Sequence, residues 1–480
     1  MGHSRGKKED DASLEIMKNI VDEVEFSKDK NNEEVIYALY RFEKHYEFCE
    51  ISSARFKAFL NQRFRDEVGD EYAYANFSKI LYVKKDETIL YGDSVQPYTR
   101  IAGNKKHIVY FLADRAWNSV IVTKSGWEIR QQLKYMFLKK ANTKEQVKPV
   151  RCSENIDDLL RAFINMDDDN YILFKVNLIQ YFFDSSSHFI SIISSEHGTG
   201  KSTLTKIMRE IVDPAVAMQA CIPDSPEEIK NHLANNKFVA FDNTKQQKEA
   251  VSDILCGATT GTSLTKRTLY TTFEETILKI KNIIILNGID IVPNKSDLLE
   301  RSVLFELKKI SPSDRKSESE FWKLFYEKKP YILGAIFDIL SKAIAIRQTL
   351  ELEKTHRMSD AYTDMVAIAL AMDIKQDEFI RIFNDNISKL EQTRSEENFF
   401  CNIVADYLEG RLAKRTGKIS EIYSAIKPLN GNDAKYFPKS SSHLSRVLNK
   451  ERHSLERLGY SFKTEKKKDG SYIEFFRIKQ

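Results

Sequence analysis

Ser195-Glu196-His197-Gly198-Thr199-Gly200-Lys201-Ser202-Thr203 is the stretch on which the reading of this chain turns. An apolar run, Phe189–Ser194, precedes it, and Lys201–Ile211 follows with helical spacing until Asp213-Pro214 stops it. A strand that turns through glycines into a helix is the context a phosphate-binding loop needs, although a Gly-rich turn alone has the same composition. Gly198 and Gly200 let backbone N–H groups face a phosphate, and the helix N-terminus adds partial positive charge. Lys201 is placed to reach β- and γ-phosphates, Ser202 to ligate Mg²⁺, and Glu196, His197, Thr199 and Thr203 to complete the cradle for ATP. Ser195 occupies the position where the usual pattern has its first glycine.

Outward from this loop the chain alternates strand and helix, which implies a parallel sheet covered on both faces. Lys237–Phe241 and Asn282–Leu286 read as buried strands, and Ser225-Pro226-Glu227-Glu228 as a helix start with a capping box. Phe238-Val239-Ala240-Phe241-Asp242-Asn243 ends an apolar strand in a carboxylate 41 residues after Lys201, the pattern of a Walker B element with Asp242 on the metal. Asn287 closes the next strand with one polar amide, suited to positioning a water near a γ-phosphate; Asn287-Gly288 is also the composition of a plain turn. Arg301, in Asp297-Leu298-Leu299-Glu300-Arg301-Ser302, follows shortly after that strand, where an arginine can reach a neighbouring subunit's γ-phosphate as a finger, or sits on an ordinary surface helix with a salt bridge. Arg357, in His356-Arg357-Met358-Ser359-Asp360, is a possible second sensor of the nucleotide. Thr262–Leu278 alternates apolar and polar residues about Thr271-Thr272-Phe273 and reads as a hairpin carrying Lys266 and Arg267, with Tyr270 and Phe273 beside them. Such a hairpin grips phosphates and stacks on bases in a ring pore, or is simply a solvated charged turn.

The flanks carry a different texture. Residues 12–82 read as mainly helical, with amphipathic spacing over Val35–Phe48 and Ala54–Phe64, and His107–Leu112 and Ser119–Thr123 as short strands. Residues 311–392 read as helical, and Asp167-Asp168-Asp169 as a helix-capping turn. With 480 residues, 42% hydrophobic and 30% charged, the chain is a folded protein of about three domains. It has no run long enough to span a membrane and no apolar signal segment in Met1–Asp11. Five isolated cysteines, none at zinc-ligand spacing, fit a reducing cytoplasmic setting. Net charge is only +4, but residues 435–480 hold twelve Lys or Arg against five Asp or Glu. Within that tail Lys439, Ser441, His443, Arg446 and Lys450 lie along one helix, and Lys466, Lys467 and Lys468 along a hairpin with an Asp469-Gly470 turn. Helix followed by basic hairpin is the layout of a winged helix facing duplex DNA, or one facing a protein.

The ordered set SEHGTGKST (195–203), VAFDN (239–243), SDILCGATTGTSLTKRTLYTTFEE (252–275), IIILNGID (283–290), DLLERSVLFEL (297–307), KPYILGAIFD (329–338) and HRMSD (356–360) resembles the AAA+ replication helicases of phages and mobile elements. These are related to superfamily 3 and minichromosome-maintenance helicases, with the self-loading Rep and Cch initiators of staphylococcal islands and cassettes as near look-alikes. The resemblance implies an α/β AAA+ P-loop core at 151–345, an N-terminal α+β accessory domain at 1–150, a helical lid at 346–392 and a C-terminal winged helix at 393–480. It implies ATP and Mg²⁺ as cofactors, a homo-hexamer around single-stranded DNA, and origin duplex bound by the C-terminus. Asn243 departs from that pattern: many AAA+ enzymes carry a catalytic Glu there, which leaves the general base unassigned, with Glu196 a candidate by location. Two other readings stand beside the helicase: a nucleotide-gated DNA-binding switch or repressor that assembles without unwinding, and a P-loop small-molecule kinase.

Overall fold

The computed structural model describes residues 2–69, 76–195, 198–223, 225–244, 249–267, 275–288, 296–311, 317–353, 356–397, 399–410, 415–430, 437–467 and 469–478, with backbone alone for 2–11, 264–267, 275–279 and a few scattered positions. At its centre β1 (Ile190–Ser194), β2 (Ala220–Cys221), β3 (Phe238–Asp242), β4 (Ile283–Gly288) and β5 (Ser302–Glu306) form one parallel sheet in the order β2-β3-β4-β1-β5. Every residue of β4 is buried, as expected of a strand covered on both faces. Alternate side chains go to opposite faces. Ile283 and Ile285 join the core built with α1 (Lys201–Val212) and residues 156–183, while Ile284 and Leu286 join that of α2 (Pro226–Asn235) and α3 (Glu249–Thr260). Three further helices, α4 (Glu318–Arg347), α5 (Ser359–Ala371) and α6 (Gln376–Glu397), complete this part. The outer edge of β5 is covered by α6, whose Asn386 amide accepts from Leu304 N at 2.9 Å and donates to Leu304 O at 2.7 Å.

Between α3 and β4 an antiparallel hairpin pairs Thr262–Arg267 with Glu275–Ile280, setting Lys266 opposite Thr276 and Arg267 opposite Glu275. Tyr270, Thr271, Thr272 and Phe273 lie outside the described residues. The aspartate run behaves as read: Asp167 caps Asp168–Gln180, accepting from Asn170 N at 2.8 Å.

Three expectations are corrected. Val35–Phe48 is not a helix; Ile36–Phe42 and His45–Glu50 are antiparallel strands, turned at Glu43 with φ of 51°. The first five residues of Ile36–Phe42 are all buried, and a strand buried on both faces gives a continuous apolar run that also satisfies helical spacing. The capping box at Ser225 is incomplete, since the serine hydroxyl makes no cap hydrogen bond; Pro226, with its preset φ, and the first-turn Glu227 and Glu228 start the helix instead. The divisions expected at 345/346 and 392/393 both fall inside continuous helices, α4 and α6. By contrast Ala54–Val68 is the helix expected, and His107–Phe111 and Ser119–Thr123 are strands of a four-stranded antiparallel meander.

The N-terminal part is fastened to the core by buried polar contacts. Arg100, fully buried, donates to Asp213 Oδ1 at 2.9 Å and to the Phe111, Lys144 and Pro214 carbonyls. Glu210, near the C-terminal end of α1, pairs with Lys329 of α4 at 2.5 Å and with Lys144 at 3.4 Å. Val150 N donates to the Pro330 carbonyl at 2.9 Å, and Gly334 of α4 lies so close that a Cβ there would overlap the Val150 carbonyl oxygen.

At the other end, Ile419–Ile426, Ser441–Lys450 and Arg452–Arg457 are helices against a three-stranded sheet in the order Thr416–Lys418, Gly470–Arg477, Tyr460–Lys467. Among the described residues no helix is long and apolar enough to cross a membrane.

Candidate functional site

Parallel strands deliver their C-terminal ends to one edge of the sheet, and the register β3–β4–β1 brings three loop starts together there. Ser195 leaves β1, Asp242 ends β3 and Asn287 stands near the end of β4. Gly198 and Gly200 have φ of 76° and 90°, a region open to glycine at little cost. Gly200 is the N-cap of α1 and makes no side-chain cap hydrogen bond, so no side chain of its own competes with an anion at this helix start. Ser195, in place of the usual glycine, ties the loop through its hydroxyl, 2.5 Å from Thr199 Oγ1.

Lys201 Nζ lies 2.5 Å from the Ser195 carbonyl oxygen. Burial holds its ammonium below the usual lysine range, against the opposing pull of Asp242. Ser202 Oγ is 3.2 Å from Asp242 Oδ2. Asn243 is exposed, in a left-handed conformation (φ 53°), with its N–H donating to Asp242 Oδ1 at 2.9 Å. Asn287 is 1% exposed, and its Oδ1 has no hydrogen-bond partner among the described residues. Thr244 binds the Asn287 carbonyl through N–H (2.8 Å) and hydroxyl (3.0 Å), locking the ends of β3 and β4 together. A cavity of about 430 Å³ lies among Gly198, Thr199, Gly200, Lys201, Ser202, Thr203, Asp242, Asn243, Asn287 and Gly288. Glu196 and His197 lie outside the described residues.

A second cavity, about 630 Å³, shares Gly198, Thr199, Gly200 and Thr203 with the first. Its remaining wall is largely apolar: Phe163 and Ile164, Leu307 and Ile310, Phe321 and Trp322. Phe321 stands edge-on between Phe163 (5.5 Å) and Trp322 (5.5 Å). Sequence reasoning missed this wall, because three separated segments build it and each reads as ordinary core. Together the cavities offer a polar half for phosphates and an apolar half for a flat ring.

Arg301 is not part of this edge. It precedes β5, and its carbonyl accepts from Ile190 N at 2.8 Å, at the opposite end of β1 from Ser195. Five strand residues separate the two ends, roughly 15 Å. Arg357 is placed with Arg301 and not with the loop: it pairs with Asp297 at 2.6 Å and with Glu300 at 2.7 Å. Burial works against the charge of Asp297, but Cys256 and the two arginines more than offset it and hold the carboxyl below the usual range. The Cys256 thiol is correspondingly pushed up to about 12 by burial and by Asp297.

The remaining basic residues form two groups. Lys266 and Arg267 sit at the outer end of the described hairpin strand. In the C-terminal part Lys439 and Arg446 are exposed and Ser441 and His443 half-buried; Ser440 caps the helix, accepting from His443 N. Lys466 and Lys467 are exposed near the hairpin turn, Lys467 lying 4.9 Å over the Tyr472 ring and 3.2 Å from Glu465. Lys450 is described by its backbone only, and Lys468 lies outside the described residues.

Residues 156–388 match a family described as the actinomycete integrative conjugative element replication protein. Over that stretch the chain is similar to mobile-element replication proteins. The match spans a little under half of the chain and holds Lys201, Ser202, Asp242, Asn287, Arg301 and Arg357, leaving both flanks outside it. No curated protein matches. Among solved structures, two apo structures of the NrS-1 C-terminal region align at 11% and 12% identity, each over 96% of this chain and 97% of that one, with a TM-score of 0.41. At these values the likeness carries no weight for fold or function.

Proposed function

We propose that this chain is an ATP-hydrolysing motor of the AAA+ type that forms a ring, translocates on single-stranded DNA and loads itself at an origin through a C-terminal winged helix. One observation carries the reading. Lys201, Ser202, Asp242 and Asn287 converge at one edge of the sheet, while Arg301 stands at the other, about 15 Å away along the strand. A finger arginine so placed has no access to the nucleotide of its own chain, so hydrolysis requires a second copy. The sheet order β2-β3-β4-β1-β5 and the likeness of residues 156–388 to mobile-element replication proteins support the same reading.

In this account the N–H groups at the start of α1 and the Lys201 ammonium hold the β- and γ-phosphates, and the apolar second cavity takes the base. The Ser202 hydroxyl and Asp242 carboxylate, 3.2 Å apart, would hold Mg²⁺ with water completing the shell, which suits an ion that keeps most of its waters. Mg²⁺ would supply charge neutralisation between the β- and γ-phosphates. Asn287 lines the cavity, and its Oδ1, buried and without a partner among the described residues, would orient the attacking water once a small side-chain rotation exposes it. Asn243 cannot take up a proton, because an amide is not a base; it serves to shape the turn after Asp242. Lys266 and Arg267 grip the strand in the pore, and Arg446, Lys466 and Lys467 the duplex at the origin.

The test is strand displacement on forked DNA with either a 3′ or a 5′ tail, comparing the natural chain with Lys201→Ala. DNA-stimulated hydrolysis and unwinding of one fork type are expected, both abolished in the variant, with duplex binding retained. Hydrolysis without displacement on either fork would leave the nucleotide-gated switch. A lone subunit that turns over ATP at full rate, indifferent to DNA, would end the motor reading.

A further inference from the structure

Asp297 serves two guanidinium groups at once. Arg357 takes the closer share, 2.6 Å to Oδ1, and anchors its other arm on Glu300 at 2.7 Å. Arg301 is left 3.4 Å from the same Asp297 oxygen, and its Nε is buried with no hydrogen-bond partner among the described residues. Arg357 is itself about half exposed, at 47%, but its surroundings limit where it can sit. Arg301 is 14% exposed, and the residue before Arg357, His356, packs against Phe189 (5.4 Å), Tyr362 (6.1 Å) and Phe383 (5.5 Å), fixing where Arg357 starts. Asp297 is four residues before Arg301. Without a competitor, a partly buried carboxylate at that spacing would close a tight pair on Arg301 and keep it there.

We propose that Arg357 is a positioning residue for Arg301: by occupying Asp297 and Glu300 it keeps the finger arginine loosely held and ready to move to a phosphate on a neighbouring copy. This rests on the reading that Arg301 acts in trans. The carboxylate pair is a latch and Arg357 is what holds the latch open. Arg301 keeps only the 3.4 Å contact to Asp297, and its unfilled Nε–H, buried in this arrangement, gives it a reason to leave once a phosphate is offered.

Harm done by losing Arg357 should be undone by also losing the charge it neutralises. In the full chain, Arg357→Gln should lower ATP turnover at saturating ATP about tenfold, the equivalent of ~1.4 kcal/mol, with little change in KM, since Lys201 and the phosphate loop are untouched. Asp297→Asn in the same chain should restore turnover to within about threefold of the natural protein. Arg357→Lys, which keeps the charge, should recover at least a third of it. Binding of a fluorescent ATP analogue and the melting temperature of each variant separate misfolding from loss of turnover. If the double variant is as slow as Arg357→Gln while folded and ATP-bound, the proposal is overturned and Arg357 acts on nucleotide directly. Arg301→Ala is the control for the underlying reading: full turnover there removes the trans arginine itself, and this proposal with it.

Discussion

At the scale of single residues, Lys201 is the group whose state should be easiest to read. Burial in the nucleotide-free protein lowers its pKa, and a bound polyphosphate would raise it again by pairing with the ammonium. The sign follows: binding takes up a proton where the free lysine has begun to lose its own. ATP affinity should therefore fall as pH climbs through the alkaline range, and calorimetry in buffers of different ionisation enthalpy should show proton uptake that vanishes in Lys201→Met. Affinity independent of pH up to the ordinary lysine range would separate the lysine from the phosphates. The residues converging on this edge, Lys201, Ser202, Asp242 and Asn287, were legible in sequence because each sits a fixed step past a recognisable strand. Arg357 was not, since its placement beside Arg301 depends on how His356 packs under β1, which no local spacing encodes.

At the scale of elements, α4 shows how a helix can be committed to one neighbour. Pro330 sits within it, and the Pro330 carbonyl accepts from Val150 N, so the linker entering the core is bonded to the helix backbone. Gly334, one turn on, allows that approach. Gly334→Ala would set a methyl against the Val150 carbonyl, and overpacking of this kind costs about 1–3 kcal/mol. A lower urea midpoint with an unchanged slope is the expected result; no change would mean the linker can lift away. The strands and helices of the core could be read from sequence because their apolar runs were short and bounded by turns. The hairpin Ile36–Glu50 could not, because buried tyrosine, leucine and phenylalanine in succession suit either period, and only the turn at Glu43 tells them apart. The apolar wall of the second cavity failed for another reason: Phe163, Leu307 and Trp322 meet only in three dimensions.

At the scale of the whole molecule, α1 is joined to α4 and to the segment that enters the core through buried charge. Glu210 lies on α1, the helix whose other end lines the cavity at the sheet edge, and it is 2% exposed beside Lys329 at 2%. Lys329→Met would leave Glu210 with only the longer contacts to Lys144 and the Tyr326 hydroxyl, both 3.4 Å, and a poorly compensated buried charge costs about 3–5 kcal/mol. Chemical denaturation should show that loss, with most of it recovered in Glu210→Gln/Lys329→Met. Equal stability of the single and double variants would mean the pair is solvated in solution.

Asn386 has a consequence for how copies of this chain can meet. A border strand ordinarily offers unpaired amides and carbonyls to any extended segment that drifts by. Here the carboxamide of Asn386 answers both polar groups of Leu304 as another strand would, so the middle of the β5 border is already spoken for. If copies of this chain assemble as proposed, those meeting at this border would join by fitting side chains and loops across a seam, a junction able to slide and tilt where a stitched continuous sheet would be rigid.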